Sequence, residues 1–178
     1  MQELVNLSND PCDVQGLLGG SPERLAVFLH RHGLQGIEFM PCAPWNRQLP
    51  PAGCIKGVHL RFWPNWLDFW QGNTHELQRE IGDKNKVRSL YGGSRRDWLE
   101  LWRQNIRIAV SCGAQYVVFH VADARTSELY SRQFLHKDEE VVRAAAAVVN
   151  EVMGELPKEC MLLFENLWWP GLTFQDPA

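Results

Sequence analysis

An α/β fold with a parallel sheet covered on both faces is predicted by three observations. Five short runs, residues 4–8, 36–40, 55–60, 116–121 and 161–165, are largely apolar. The later ones alternate with segments of helical spacing, and apolar strands that alternate with helices belong to a parallel sheet buried on both sides. Three of the runs also carry a residue of metal-ligand type at or next to their carboxyl ends: His59, His120 and Glu165.

The first strand is Leu4-Val5-Asn6-Leu7-Ser8. Ser21 then suits an N-cap, Pro22 the first helical position and Glu23 the first turn, so a helix runs through Leu25, Val27, Phe28 and Leu29 and stops at Gly33. Gly36-Ile37-Glu38-Phe39-Met40 is the second strand, and Pro41, Pro44, Pro50 and Pro51 make the next stretch irregular. The third strand leads into the aromatic segment Arg61-Phe62-Trp63-Pro64-Asn65-Trp66-Leu67-Asp68-Phe69-Trp70, followed by a polar stretch with Gly82, Gly92 and Gly93. Residues 96–112 place Trp98, Leu101, Trp102, Asn105, Ile106, Ala109 and Val110 at helical spacing, with Gly113 beyond the end. After strand four, residues 141–153 read as a helix rich in Ala and Val, with Asp138, Glu139 and Glu140 favourable at its amino end. Strand five closes the series as βαβ, an irregular link, then βαβαβ.

The 178 residues suit one domain spanning 1–178. Apolar residues at 45% and charged residues at 22% match an ordinary globular composition and exclude a disordered or fibrous class. A net charge of −3 supplies no global attraction for nucleic acid, although a local basic patch stays open. No apolar stretch approaches the ~18 residues that cross a bilayer, and Met1-Gln2-Glu3-Leu4 lacks the basic start of a secretory signal, so the expectation is a cytoplasmic protein without membrane contact. Cys12, Cys42, Cys54, Cys112 and Cys160 are odd in number and lack a C-x-x-C pair, which argues for reduced thiols.

In parallel β/α proteins the ligand crevice lies outside the carboxyl ends of the strands, so His59, His120 and Glu165 are candidates to share one divalent ion. Two imidazoles and a carboxylate suit Zn²⁺, Mn²⁺ or Co²⁺. Glu38, read as ending strand two, is either a general base or substrate ligand in the same pocket or a surface or salt-bridged carboxylate. Asn166 either supports Glu165 and binds a substrate hydroxyl or caps the following turn. Trp63, Trp66, Trp70, Trp168 and Trp169 all follow strands; they stack on a substrate ring or form a hydrophobic cluster beneath a loop. Trp98 and Trp102, one turn apart, read as core. Arg61, Lys84, Lys86, Arg88, Arg95 and Arg96 are a phosphate-receiving patch or a solvated face. His30, His32, His75 and His136 show no ligand spacing.

At Gly36-Ile37-Glu38-Phe39, Val58-His59, Val118-Phe119-His120 and Leu163-Phe164-Glu165-Asn166 the chain resembles the xylose-isomerase-like TIM-barrel superfamily. That superfamily includes sugar and sugar-phosphate isomerases and epimerases and the endonuclease IV-type, family 2 apurinic/apyrimidinic endonucleases. The resemblance implies a (β/α)₈ barrel, and because a full barrel takes ~250 residues, this chain supplies only about five parallel strands of a partial one. Its end at Phe174-Gln175-Asp176-Pro177-Ala178 then reads as a truncated or split protein whose open edges are covered by a homo-oligomer or a complementing chain.

For the function, the resemblance implies a metal-dependent isomerase or epimerase acting on a small carbohydrate or sugar phosphate, with Glu165 and Glu38 as its catalytic carboxylates. The ion polarises carbonyl and hydroxyl oxygens while a carboxylate moves a proton through an enediolate-like intermediate. Trp63, Trp66, Asn166 and Trp168 would line the substrate. Alternatively the resemblance implies a zinc-using endonuclease on abasic DNA, whose strand-three and strand-four histidines fall on His59 and His120. The third expectation is a non-catalytic fragment or split subunit.

Overall fold

A computed structural model describes residues 2–42 and 44–173 of the chain. The end of the chain, on which the reading of a truncated barrel rests, falls at residues 174–178 and lies outside the described residues. Among these residues, five strands form one parallel sheet in the order β1-β2-β3-β4-β5: β1 Leu4–Ser8, β2 Gly36–Met40, β3 Ile55–His59, β4 Tyr116–His120 and β5 Met161–Glu165. The predicted α/β class with five parallel strands and covering helices is therefore what the chain adopts. Consecutive strands are neighbours in the sheet.

Among the described residues, seven α-helices accompany the sheet: α1 Pro22–Arg31, α2 Trp66–Gln71, α3 Thr74–Ile81, α4 Lys84–Tyr91, α5 Arg95–Cys112, α6 Thr126–Ser131 and α7 Asp138–Val152. α1 begins where the cap signals place it, with the Ser21 side chain accepting from the Arg24 amide. α7 starts three residues earlier than its apolar stripe, because Asp138, Glu139 and Glu140 are helical themselves. α2, α3 and α4 replace the expected loop and polar stretch. They are six to eight residues long and separated by Gly72 and Gly82 in positive-φ conformations. None of the described helices is long and apolar enough to cross a membrane.

The chain divides into two compact units. The first comprises Met1–Arg61, Gln104–Phe119 and Glu155–Leu163 and contains nearly all of the sheet. Ile37, Phe39, Ile55, Val58 and Val117 are its buried centre, and Leu25 and Leu29 of α1 add the stripe that a helix must bury. β1 pairs with β2 in unbroken register from Leu4 opposite Gly36 to Ser8 opposite Met40. Between β2 and β3 the register shifts by one residue, so Glu38 faces Gly57. Gly57 in turn faces Tyr116, and His59 is level with Val118.

The second unit comprises Phe62–Arg103, His120–Gly154 and the chain from Phe164. Its core is aromatic. Trp98 of α5 has the rings of Trp63, Trp66, Phe69, Trp70, Tyr91 and Trp102 around it at centroid distances of 5.8–6.5 Å. Such rings prefer edge-to-face and tilted contacts, which these mostly are. Trp63 Nε1–H donates to the Leu90 carbonyl at 2.9 Å and Trp66 Nε1–H to that of Ala122 at 2.8 Å, so burial leaves neither indole donor unpaired. α7 contributes Val141, Ala145, Val148 and Val152, one stripe at helical spacing.

Candidate metal centre

The residues of ligand type hold the positions that the strand pattern predicts: His59 is the last residue of β3, His120 of β4 and Glu165 of β5. These three strands are consecutive in the sheet. Each of the three side chains offers one ligand atom, an imidazole nitrogen or a carboxylate oxygen.

In the first unit, His59 Nδ1 lies 2.7 Å from Glu38 Oε1. The Tyr116 hydroxyl donates to the other carboxylate oxygen, Oε2, at 2.8 Å. Burial first, and then the bond to Glu38, push the Tyr116 phenol well above its usual range, so it keeps its proton and stays a donor. Glu38 does not end its strand as expected: it is the middle residue of β2 and meets His59 from within the sheet; Tyr116, the first residue of β4, carried no functional signal.

In the second unit, His120 Nε2 stands 3.1 Å from Glu165 Oε2. At that distance the imidazole and the carboxylate are in ion-pair contact. The backbone explains why the pair is close. Val121 N–H donates to the Glu165 carbonyl at 3.1 Å, Leu172 N–H to that of Val121 at 2.8 Å and Asp123 N–H to that of Pro170 at 3.0 Å. The segment after β5 is thereby stapled to the extension of β4. It carries Trp168 and Trp169, whose rings meet at 5.5 Å, while Phe62 lies 5.4 Å from both Trp169 and His120. His120 thus has an aromatic wall beside it, and Trp168 is 62% exposed. Asn166 is half-buried next to Glu165.

Trp63 and Trp66 are placed differently from the expectation that they line a substrate. They are 2% and 4% exposed and belong to the aromatic core, because a loop of that length folds back as α2 rather than standing over a pocket. A ring so covered has no face to lend to a ligand.

A buried charged network in the second unit had no sequence signal. Arg125 grips Asp68 with Nε to Oδ2 at 2.8 Å and Nη2 to Oδ1 at 3.0 Å, and reaches Glu76 with Nη1 at 3.1 Å. His136 lies 3.7 Å from Asp68 through Nε2 and 3.0 Å from Glu140 through Nδ1. Burial pushes the Asp68 carboxyl up, but hydrogen bonds from His136, Arg125 and Asn73 outweigh it and hold the group well below the carboxylate range. These partners come from α2, α3, α7 and the loops around them, far apart in sequence.

No protein-family model, curated protein or solved structure matches the chain. What stands is a parallel α/β sheet whose last three strands end in histidine, histidine and glutamate.

Proposed function

We propose that the protein binds one divalent ion through His59, His120 and Glu165 and acts as an isomerase or epimerase on a carbohydrate or sugar phosphate, as a relative of the xylose-isomerase-like barrels. The observation that carries this reading is the closing of three consecutive parallel strands by three ligand-type residues, two of which already stand 3.1 Å apart. Zn²⁺, Mn²⁺ or Co²⁺ fits the two-nitrogen, one-oxygen donor set, and when bound it polarises carbonyl and hydroxyl oxygens.

The chain's own residues supply the rest. Trp168, with Trp169 and Phe62 beside His120, offers a flat apolar face of the kind that stacks on a sugar ring. Asn166 has an amide beside Glu165 to bond a hydroxyl. Glu165 is the carboxylate that moves a proton between carbons, its two oxygens allowing one to ligate while the other accepts.

A second reading, an endonuclease on abasic DNA, is favoured by one observation: the carboxylate at His59 Nδ1 is how metal-ligating histidines are commonly held, and His59 is the ligand that the resemblance assigns to that branch. The net charge of −3 weighs against it.

Metal analysis of the purified protein beside His59→Ala, His120→Ala and Glu165→Ala tests the centre. About one ion per chain is expected in the parent and a loss of tenfold or more in each variant, since each removes a ligand outright. Equal metal content in all four proteins refutes the centre. The metal-loaded protein, incubated with a panel of aldose and ketose phosphates in D₂O, is expected to place deuterium on carbon. Cleavage of abasic DNA without such exchange selects the endonuclease, and metal without either activity selects the non-catalytic subunit.

A further inference from the structure

Glu38 sits opposite Gly57, and Gly57 opposite Tyr116, in one row across three parallel strands. Side chains in such a row point to the same face, so a residue on β3 would ordinarily separate the other two. Gly57 removes that barrier: a β-carbon there would lie 2.1 Å from Cζ of Tyr116. The phenol therefore crosses over β3 and sets its hydroxyl on Glu38 Oε2, while Oε1 of the same carboxylate meets Nδ1 of His59. A carboxylate that accepts from the phenol is an acceptor for the imidazole too, which requires a proton on His59 Nδ1; in the neutral imidazole the lone pair is then on Nε2.

We propose that Tyr116 and Glu38 are positioning residues that hold His59 as its Nδ1–H tautomer with Nε2 as the metal-binding nitrogen, and that Glu38 is not the general base. The proposal rests on the reading of His59 as a metal ligand and deepens it. Tyr116 fixes the rotamer of Glu38, Glu38 fixes the plane and tautomer of His59, and Gly57 is the residue that lets the relay span three strands. A carboxylate engaged at both oxygens is a poor candidate to move a substrate proton, which separates this assignment from a catalytic one.

The experiment compares the full chain with Glu38→Ala, Tyr116→Phe and His59→Ala. One arm reads the His59 tautomer by long-range ¹H–¹⁵N correlation in metal-free protein; the other reads Zn²⁺ affinity by competition with a chromophoric chelator. Thermal unfolding of each variant verifies that it is folded. The parent is expected to show the Nδ1–H tautomer, Glu38→Ala a tautomer mixture with an affinity loss of about 10–100-fold, and Tyr116→Phe a smaller loss of about threefold. Unchanged tautomer and affinity in Glu38→Ala, with binding abolished in His59→Ala, overturns the relay but keeps the metal centre. Equal affinity in His59→Ala overturns the metal centre, and the tautomer arm then decides the relay by itself. Turnover lost in Glu38→Ala at unchanged affinity and tautomer returns Glu38 to the role of general base and overturns the proposal.

Discussion

Asp123 is 1% exposed. Burial pushes its carboxyl up to about 7, with His136 and the backbone amides of Leu67 and Trp66 opposing it and Asp68 adding to the effect. His136 moves up to about 9, chiefly through its bond to Asp68, with burial opposing and Glu140 assisting. Both groups bind their protons more tightly in the folded chain than in the unfolded one. The stability from Asp123 is complete below about pH 4 and lost as pH rises through 7; that from His136 is complete below about 6.5 and lost as pH rises through 9. Asp68 runs the other way, losing its contribution only on strong acidification. The melting temperature is therefore expected to fall between pH 5 and 9. In Asp123→Asn the part of that fall below pH 7, worth on the order of 2–4 kcal/mol, should disappear. A variant whose melting temperature follows the parent's across pH 4–7 would show that Asp123 is not the group responsible. Nothing in the sequence around His136 suggested this role, because its partners Asp68 and Glu140 lie on different helices.

The strands were legible and the short helices were not. β1, β2 and β5 run over the residues predicted for them, and β3 and β4 stop one residue sooner, since an apolar run bounded by Gly, Pro and polar residues leaves little freedom in placing a strand. α2–α4 escaped because helices of six to eight residues owe their stability to tertiary packing, which for α2 and α4 is around Trp98. The same fact moved Trp63 and Trp66 from an expected binding loop to the core. Gly171 shows how an element junction serves the site. Its φ is +146°, a β-carbon would lie 2.0 Å from the Val121 carbonyl oxygen, and its amide donates to Asp138 Oδ1 at 3.0 Å. Gly171→Ala is expected to part the segment after β5 from β4, costing about 1–3 kcal/mol in denaturant unfolding. Bound metal should fall with it, because Glu165 is held by the same staple. Unaltered stability and metal content would mean that the junction does not position Glu165.

Across the molecule, the sheet order leaves β1 and β5 as its outer strands. On β5, Met161, Leu163 and Phe164 are 57%, 42% and 52% exposed, an apolar display that an outer strand rarely carries unguarded. Concentration-dependent self-association is the outcome expected of such a strand. Sedimentation is expected to show a mean mass that rises with concentration in the parent and less so in Leu163→Lys, where a charge blocks pairing. Identical mass curves for the two would remove β5 from consideration. The α/β class, the five strands and the strand-end positions of His59, His120 and Glu165 were determined by the sequence alone, because period, punctuation and residue type are local properties. The tertiary structure decided that Glu38 is bonded to His59 and Tyr116, that Trp63 and Trp66 are core, and that Asp68, Arg125 and His136 share a buried network. Each of these depends on which distant segments meet, and register, crossover packing and desolvation exist only once the chain has folded.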